Sequence, residues 1–292
     1  MNPQDIRTIH ARRVWDSRGR PTVEAEVTLH SGATGHAIVP AGASKGTREA
    51  LELRDATAAF GGLDVMRAVG HVNGEIARAL VGSSAADQAA LDRRLIELDG
   101  TPAKSRLGAN ATLAVSMAAA HAMAASQRVP LYRYLGGADA TLLPMPQIQI
   151  FGGGAHAGRR VDIQDFMIVC PGARSYTEAL EWTAEVYRHA GLLMQQRGSL
   201  AGVADEGGWW PDFDTNEQAL ETLLAAIERA GYAPGAQVAI ALDIAASEFG
   251  RGGRYTLGLE ARELDSDGLI ELLLRWIDRY PIVSIEDPLG ED

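Results

Sequence analysis

The chain has 292 residues, of which 46% are hydrophobic and 22% are charged, and its 27 Lys and Arg against 38 Asp and Glu give a net charge of −11. This length suits two domains or one large α/β barrel. The acidic balance argues against a partner that is nucleic acid or an acidic membrane, because such binding depends on clustered cations. The single cysteine, Cys170, excludes an internal disulfide and any Cys-rich zinc site.

Two apolar features bear on location. The first residues, MNPQDIRTIHARR, lack the apolar core of a signal peptide. The most apolar stretch, 109–125, is rich in alanine and is interrupted by Asn110, Ser116 and His121, which is typical of a packed helix rather than a membrane span. We therefore expect a cytoplasmic protein. Cys170 lies in the apolar run FMIVCPG, so we expect a small buried side chain rather than a nucleophile.

The first part of the chain predicts a small α+β domain. Residues 22–29 alternate between apolar and polar side chains, which indicates a half-exposed antiparallel strand, and a second strand is expected at 35–39. Three helical segments follow, at about 62–81, 84–97 and 108–127. Ser83 or Ser84 is the expected N-cap of the second helix. Strands followed by helices are typical of α+β domains.

A Gly- and Pro-rich segment, 128–146, is the predicted linker to a second domain. Beyond it strands and helices alternate, in the order MPQIQIF, VDIQDFMIV, a helix at 175–197, the helix in DTNEQALETLLAAIERAGY, VAIALD, a helix at 265–279, and PIVSIED. Because VAIALD and PIVSIED are nearly continuous apolar runs, we expect a parallel sheet covered by helices, as in a barrel. We assign domain one to 1–135 and domain two to 140–292.

Acidic residues stand where the apolar runs of the second domain end. They are Asp205, Glu206, Asp243, Glu286 and Asp287. In barrels of parallel strands, the carboxyl ends of the strands assemble the active site. Carboxylate oxygens suit a hard divalent cation such as Mg²⁺.

Seven segments, in the same order along the chain, closely resemble the enolase family. They are DSRGRPTVEAEV (16–27), PAGASKGTREALELRD (40–55), KSRLGANA (104–111), HAGRRVDIQDFMI (156–168), ADEGG (204–208), ALDIAASEF (241–249) and YPIVSIEDP (280–288). The resemblance implies an α/β protein, with an N-terminal α+β cap domain followed by an enolase-type, TIM-like barrel. It also implies Mg²⁺-dependent dehydration of 2-phosphoglycerate to phosphoenolpyruvate, by a homodimer or a larger assembly.

The resemblance assigns metal ligands and proton chemistry residue by residue. It implies that Asp243 and Glu286 bind the tighter Mg²⁺ and that Ser44 binds a second, substrate-dependent ion. Glu206 matches the acid that helps the substrate hydroxyl leave as water, and Asp165 matches its acidic partner. Asp287 is expected to play a supporting role.

Three further residues are expected to contact the substrate, a small phosphorylated or phosphonate carboxylic acid. They are His156, Gln164 and Lys45, in addition to Asp165 and Glu206. His156 lies in GGGAHAG, a run that we expect to be too rich in glycine to hold the ring in a core.

The chain departs from the family pattern in loops around the substrate. Aspartate stands at 165, where the family usually has the longer glutamate, and Lys45 replaces a threonine. The other departures are Ala41, Gly152, Ala155, Arg159, Arg160, Trp209 and Trp210. The added cations favour a bulkier or more anionic substrate, so the alternative function is that of enolase-like enzymes of phosphonate antibiotic pathways, such as carboxyphosphonoenolpyruvate synthase. A non-catalytic interaction module is a third hypothesis.

The family pattern contains further functional residues that have no match in these 292 residues. They are the third carboxylate ligand, the lysine base, a second lysine and a His-Arg-Ser segment that holds phosphate. We therefore expect that the 292-residue chain is incomplete and does not catalyse the reaction by itself.

Overall fold

The computed structural model describes residues 2–42 and 44–291. The chain divides into two compact units, Met1–Leu142 and Leu143–Asp292. Each unit has its own hydrophobic core, so each is described by itself.

The N-terminal unit contains a three-stranded antiparallel sheet of β1 (Ile6–Trp15), β2 (Pro21–Leu29) and β3 (Thr34–Val39), in that order. The predicted alternation in β2 is confirmed for its apolar face, because Val23, Ala25, Val27 and Leu29 are fully buried, but the expected exposure of the other face is wrong at Thr22 and Thr28, which are also buried. The sequence analysis missed β1. A bulge in its pairing with β2, between Ile6 and Thr8, breaks the two-residue period from which a strand is recognised.

The helices of this unit are α1 (Met66–His71), α2 (Ala77–Leu80), α3 (Gln88–Asp99), α4 (Ala109–Gln127) and α5 (Leu131–Gly136). A π-helical turn, Val72–Ile76, joins α1 to α2. The predicted cap of α3 is wrong, since the carboxylate of Asp87 accepts the backbone N–H of Ala90 at 2.9 Å. The linker prediction for 128–146 is wrong in part, because α5 begins directly after Pro130.

Helix α4 packs on the sheet, and its alanines account for the closeness of that packing. A Cβ placed on Gly35 of β3 would lie 2.3 Å from the carbonyl oxygen of Ala118 and 2.2 Å from the backbone nitrogen of Ala122. Ala118 and Ala122 are themselves fully buried. Among the described residues, no helix combines the length and the apolar character needed to cross a membrane.

The C-terminal unit has the strands β4 (Ile148–Gly152), β5 (Asp165–Val169), β6 (Leu200–Val203), β7 (Trp209–Pro211), β8 (Ala239–Asp243), β9 (Gly250–Arg251), β10 (Arg254–Leu257), β11 (Arg262–Asp265) and β12 (Ile282–Glu286). Its helices are α6 (Tyr176–Arg197), α7 (Asn216–Arg229) and α8 (Ser266–Arg279). A six-stranded sheet has the order β12-β8-β5-β4-β7-β6, and β9, β10 and β11 form a small separate sheet.

The large sheet is mixed, so the prediction of a parallel sheet is wrong at β5. Strands β8 and β12 are parallel, but β5 is antiparallel to both β4 and β8. Because the segment between β4 and β5 contains only a short 3-10 turn, Gly154–Ala157, it forms the direct return that antiparallel strands use. A parallel partner would need a long crossover, usually with a helix.

The two faces of this sheet differ in chemistry. Phe166, Ile168, Ile240 and Leu242 lie in the hydrophobic core of the unit. The residues that alternate with them along β5 and β8 include Asp165 and Asp243, which therefore lie on the opposite face.

Cys170 is buried, as expected, and burial raises the pKa of its thiol.

Candidate active site

Three carboxylates form a row across neighbouring strands. In the antiparallel β5–β8 pair Asp165 lies opposite Asp243, and in the parallel β8–β12 pair Asp243 lies beside Glu286. Directly paired residues project to the same face of a sheet. Because β5 runs in the opposite direction, Asp165 is the first residue of its strand while Asp243 and Glu286 are the last of theirs. The reversed strand therefore adds a third acid to the two strand-end acids.

The electrostatics of this row favour a bound cation. Burial, followed by repulsion from Asp165 and Glu286, raises the pKa of Asp243 to about 6. Burial also raises the pKa of Asp165, with smaller contributions from Glu206 and Glu286 in the same direction. Neighbouring like charges disfavour one another's ionised forms. A divalent cation would relieve that repulsion, and carboxylate oxygens are the ligands that Mg²⁺ prefers, so these residues fit the ion.

The carboxylate of Asp243 is held on both oxygens. Its Oδ1 accepts the backbone N–H of Ala245 at 3.0 Å, and its Oδ2 accepts the side-chain amide of Gln164 at 3.0 Å. Gln164 is buried, and its own Oε1 has no hydrogen-bond partner among the described residues. In this structure Gln164 thus orients a metal-ligand candidate and keeps an acceptor available.

A second cluster adjoins the row through Asp165. One ligand atom from each of His156, Asp165 and Glu206 lies within 4.8 Å of the others. The Nε2 of His156 is 3.7 Å from Oε1 of Glu206, whose side chain is 48% exposed. This arrangement gathers a titratable ring and two carboxyl groups at distances that a bridging water could span.

His156 is buried, at 6% exposure, so the expectation that its glycine-rich run keeps it out of a core is wrong. The glycines instead allow the turn to fold against the segment that follows it. A Cβ on Gly153 would lie 2.2 Å from the carbonyl oxygen of Ile163, and Gly154 has a φ of +47°. The Nδ1 of His156 has no partner among the described residues.

The cations expected to hold an anionic substrate each contact an acid of the chain. Nη2 of Arg159 lies 2.9 Å from Oε2 of Glu248, and Arg160 pairs with Asp212. In the N-terminal unit, Nζ of Lys45 lies 3.2 Å from Oε2 of Glu52.

Ser44 and Lys45 both belong to the N-terminal unit. Ser44 is half-buried and Lys45 is exposed. Ala43, which precedes them in the predicted metal loop, lies outside the described residues.

One residue of the site was missed in the sequence analysis. The amide of Gln149 donates to Oδ1 of Asp165 and accepts the backbone N–H of Gly208 at 2.9 Å. Gln149 is 8% exposed. The available signal was a long polar side chain at the second position of a strand whose neighbours are apolar.

Trp209 packs against Tyr187 of helix α6. Its ring stacks on Tyr187 at a centroid distance of 4.5 Å, and its indole N–H donates to the carbonyl of Tyr187 at 2.8 Å. Trp210 packs near the turn that bears His156, because a Cβ on Gly158 would lie 3.0 Å from its ring.

Comparison with known proteins identifies the family. The family model "Enolase, N-terminal domain" matches residues 6–135, and "Enolase, C-terminal TIM barrel domain" matches 140–292. The chain belongs to the enolase family. The two enolase domains account for the separate α+β unit and for the larger α/β unit, whose sheet is not closed within the described residues.

A curated relative supports the same conclusion. "Enolase 1" of Desulfitobacterium hafniense (strain Y51) is 49% identical over 289 residues, which is 98% of this chain. The match covers 66% of that relative, so the chain spans slightly less than two thirds of its length.

Proposed function

We propose that the protein is a Mg²⁺-dependent enolase-type lyase that converts 2-phosphoglycerate to phosphoenolpyruvate. The observation that carries the proposal is the row of Asp165, Asp243 and Glu286 next to the pair of His156 and Glu206. The first set suits a cation that binds the substrate carboxylate, and the second suits proton transfer to a leaving hydroxyl. The similarity to a protein named Enolase 1 supports this assignment.

In this proposal Asp243 and Glu286 hold the tighter Mg²⁺, and Ser44 holds a second ion. When bound, the metal supplies charge stabilisation for the substrate carboxylate as a proton is removed beside it. Gln164 orients the Asp243 carboxylate through the 3.0 Å hydrogen bond. Lys45 is proposed to contact substrate, which would require it to exchange Glu52 for the substrate anion.

Glu206 is the proposed proton donor to the departing hydroxyl, since its side chain is half exposed while those of His156 and Asp165 are buried. Burial raises the pKa of Asp165, and repulsion from Glu206 adds to that effect. His156, whose Nε2 lies 3.7 Å from Oε1 of Glu206, is proposed to orient that acid. Abstraction of the substrate proton is left unassigned.

The phosphonate-pathway alternative loses part of its support in the structure. Its main sequence argument was the added positive charge of Lys45, Arg159 and Arg160, and all three contact carboxylates of the chain itself. We therefore place 2-phosphoglycerate first. The shorter Asp165 is the remaining observation in favour of an altered substrate.

Two expectations accompany this proposal. We propose 1–135 as the cap domain and 140–292 as part of the barrel domain, and we propose a homodimer or a larger assembly. Light scattering during size-exclusion chromatography measures the assembly, and expression of each range alone tests whether it folds as a domain.

The test uses the full-length protein and 2-phosphoglycerate. We expect Mg²⁺-dependent formation of phosphoenolpyruvate, lost on chelation and lost in Asp243→Asn and Glu286→Gln. Glu271→Gln, an exposed position on the outside of α8, is the matched control and should retain activity. Folded protein without Mg²⁺-dependent turnover, or full activity in Asp243→Asn, would contradict the proposal. Turnover of a phosphonate analogue in preference to 2-phosphoglycerate would favour the alternative.

A further inference from the structure

We propose that Gln149 is a positioning residue that sets the placement of Asp165 relative to the Glu206 turn, and that its length is matched to the short aspartate. The inference rests on the proposed function, because it concerns the proton-transfer side of the same site. It adds a residue that neither the family pattern quoted above nor the predicted site contains.

Gln149 connects three separate pieces of the site. It lies on β4, its Nε2 donates to Asp165 at the start of β5, and its Oε1 accepts the N–H of Gly208 at 2.9 Å. Both polar ends of one amide are thus used, in a position with 8% exposure. A buried hydrogen bond to a carboxylate is stronger than one between neutral groups, so this contact fixes the Asp165 side chain.

The surroundings of the amide are fitted to it. A Cβ on Gly208 would lie 2.4 Å from Oε1 of Gln149 and 2.9 Å from its Cδ. On the other side, a Cβ on Gly152 would lie 3.1 Å from the same oxygen and 2.4 Å from Cβ of Ala204. A side chain at 208 would displace the Gln149 amide, and one at 152 would collide with Ala204 and crowd the amide. The two glycines therefore leave the space that the glutamine amide occupies.

The strand register explains why a long side chain is needed. Gln149 is paired with Met167 across β4 and β5, and Asp165, two residues from Met167, is paired with Gly152 beyond a register shift in β4. The side chains of Gln149 and Asp165 therefore meet diagonally rather than directly across the sheet, which requires a long side chain. Asp165 contributes one methylene and Gln149 contributes two. A longer acid at 165 would therefore require a shorter amide side chain at 149.

The second hydrogen bond of Gln149 acts on Glu206. The residues Ala204 to Gly208 form a tight turn, closed by the N–H of Ala204 to the carbonyl of Gly208 at 2.7 Å and by the N–H of Gly207 to the carbonyl of Ala204 at 3.0 Å. Glu206 is at the tip of this turn. Because Gln149 accepts the N–H of Gly208, it holds the base of the turn in place. It thereby also positions Glu206, the proposed proton donor.

A double-mutant cycle in the full-length protein tests the matched lengths. Gln149→Asn and Asp165→Glu are made singly and together, and turnover of 2-phosphoglycerate is measured at saturating Mg²⁺. Each single change should lower kcat by about 10- to 100-fold with a smaller effect on KM, since misplacement of a reacting group by about 1 Å has that cost. The double variant restores the total of three methylenes and should recover to within about threefold of the wild type.

The control is Gln147→Asn, the same substitution two residues earlier, where the amide contacts the sulfur of Met167 at 3.4 Å and touches no acid of the site in the described contacts. It should leave kcat within about twofold. A multiplicative cycle, in which the double variant shows the product of the two single losses, overturns the proposal. So does a kcat unchanged in Gln149→Asn.

The thermal midpoints of the same four proteins separate this inference from the proposed function. If the wild type does not turn over 2-phosphoglycerate, the proposed function fails. Recovery of the midpoint in the double variant would then support the matched lengths alone, and additive losses would refute them. If turnover is present and only the midpoints are coupled, the positioning role is refuted and Gln149 is a stability residue.

Discussion

Asp243 is expected to destabilise the metal-free protein at neutral pH. Its carboxylate lies between Asp165 and Glu286 in the sheet register, and its pKa is raised from the usual 3.8 to about 6. We predict that Asp243→Asn raises the midpoint of thermal unfolding when Mg²⁺ is removed, although the same change abolishes the proposed activity. An active-site acid is then retained for function at a cost in stability.

The size and direction of this stability change follow from the upward shift in the pKa of Asp243. Below pH 3.8 the carboxyl is protonated in both the folded and the unfolded chain, so it contributes nothing to pH dependence. Between pH 3.8 and about 6 the unfolded chain ionises first, and the free energy of unfolding falls as pH rises. A shift of about two units at 1.36 kcal/mol each gives at most about 3 kcal/mol above pH 6. For a unit of this size that corresponds to several degrees in Tm.

The structure also offers the asparagine a set of partners. The N–H of Ala245 can still donate to its side-chain oxygen, as it does to Oδ1 of Asp243 at 3.0 Å. The new amide would face Gln164, whose Oε1 has no partner among the described residues. A flip of the Gln164 amide supplies an acceptor, so the substitution leaves no donor unsatisfied.

The assay is thermal unfolding in chelator and in Mg²⁺, from pH 3 to pH 8, with Glu271→Gln as the control for removal of an exposed charge. The variant should match the wild type near pH 3, exceed it increasingly up to about pH 6, and gain nothing from Mg²⁺, whereas the wild type gains. A wild type that is as stable as Asp243→Asn at pH 7 without metal would refute the argument from repulsion. Equal stabilisation of both proteins by Mg²⁺ would refute the metal assignment.

Three other outcomes follow from single contacts. Glu206→Gln should lower kcat by about 10²–10⁴-fold while calorimetric Mg²⁺ affinity stays unchanged, and an unaltered kcat would remove Glu206 as the proton donor. Arg159→Gln and Arg160→Gln should each change the free energy of unfolding by less than about 1 kcal/mol and KM by less than about tenfold, because both arginine side chains are largely exposed and already pair with acids of the chain. A hundredfold rise in KM would instead show that they bind substrate. Gly35→Ala should destabilise by about 1–3 kcal/mol in denaturant titrations, while Gly70→Ala, at an open helical position, should stabilise by up to about 1 kcal/mol.

The sequence predicted elements well where one local pattern determined them. The three principal helices of the C-terminal unit lie where apolar side chains recur at helical spacing, and Thr215 caps α7 by accepting the N–H of Gln218 at 3.1 Å. Strand β1 was not predicted, and β5 was predicted to be parallel to its neighbours, which is wrong. In β1 a bulge disturbs the period, and the direction of β5 depends on which strand it meets rather than on its own residues.

The acids of the site show the same division. Asp243 and Glu286 were recognisable because each ends an apolar run, and the fold brings the two ends together. That Asp165 joins them depends on the reversal of β5, which follows from the short connection between β4 and β5 rather than from the residues of β5 itself. The pKa of about 6 at Asp243 could not be foreseen either, since it arises from burial and from neighbours on two other strands.

The number of cations in a sequence overstates the positive charge that is available to a ligand. Lys45, Arg159 and Arg160 suggested a more anionic substrate because each adds a cation to a loop near the site. Arg159 meets an acid 89 residues away and Arg160 one 52 residues away, so their pairing is decided by tertiary contacts. Gln149 shows the converse, because an uncharged residue with no motif of its own holds two parts of the site in place. We therefore expect specificity in this chain to depend less on its added cations than on the lengths of the side chains at 149 and 165.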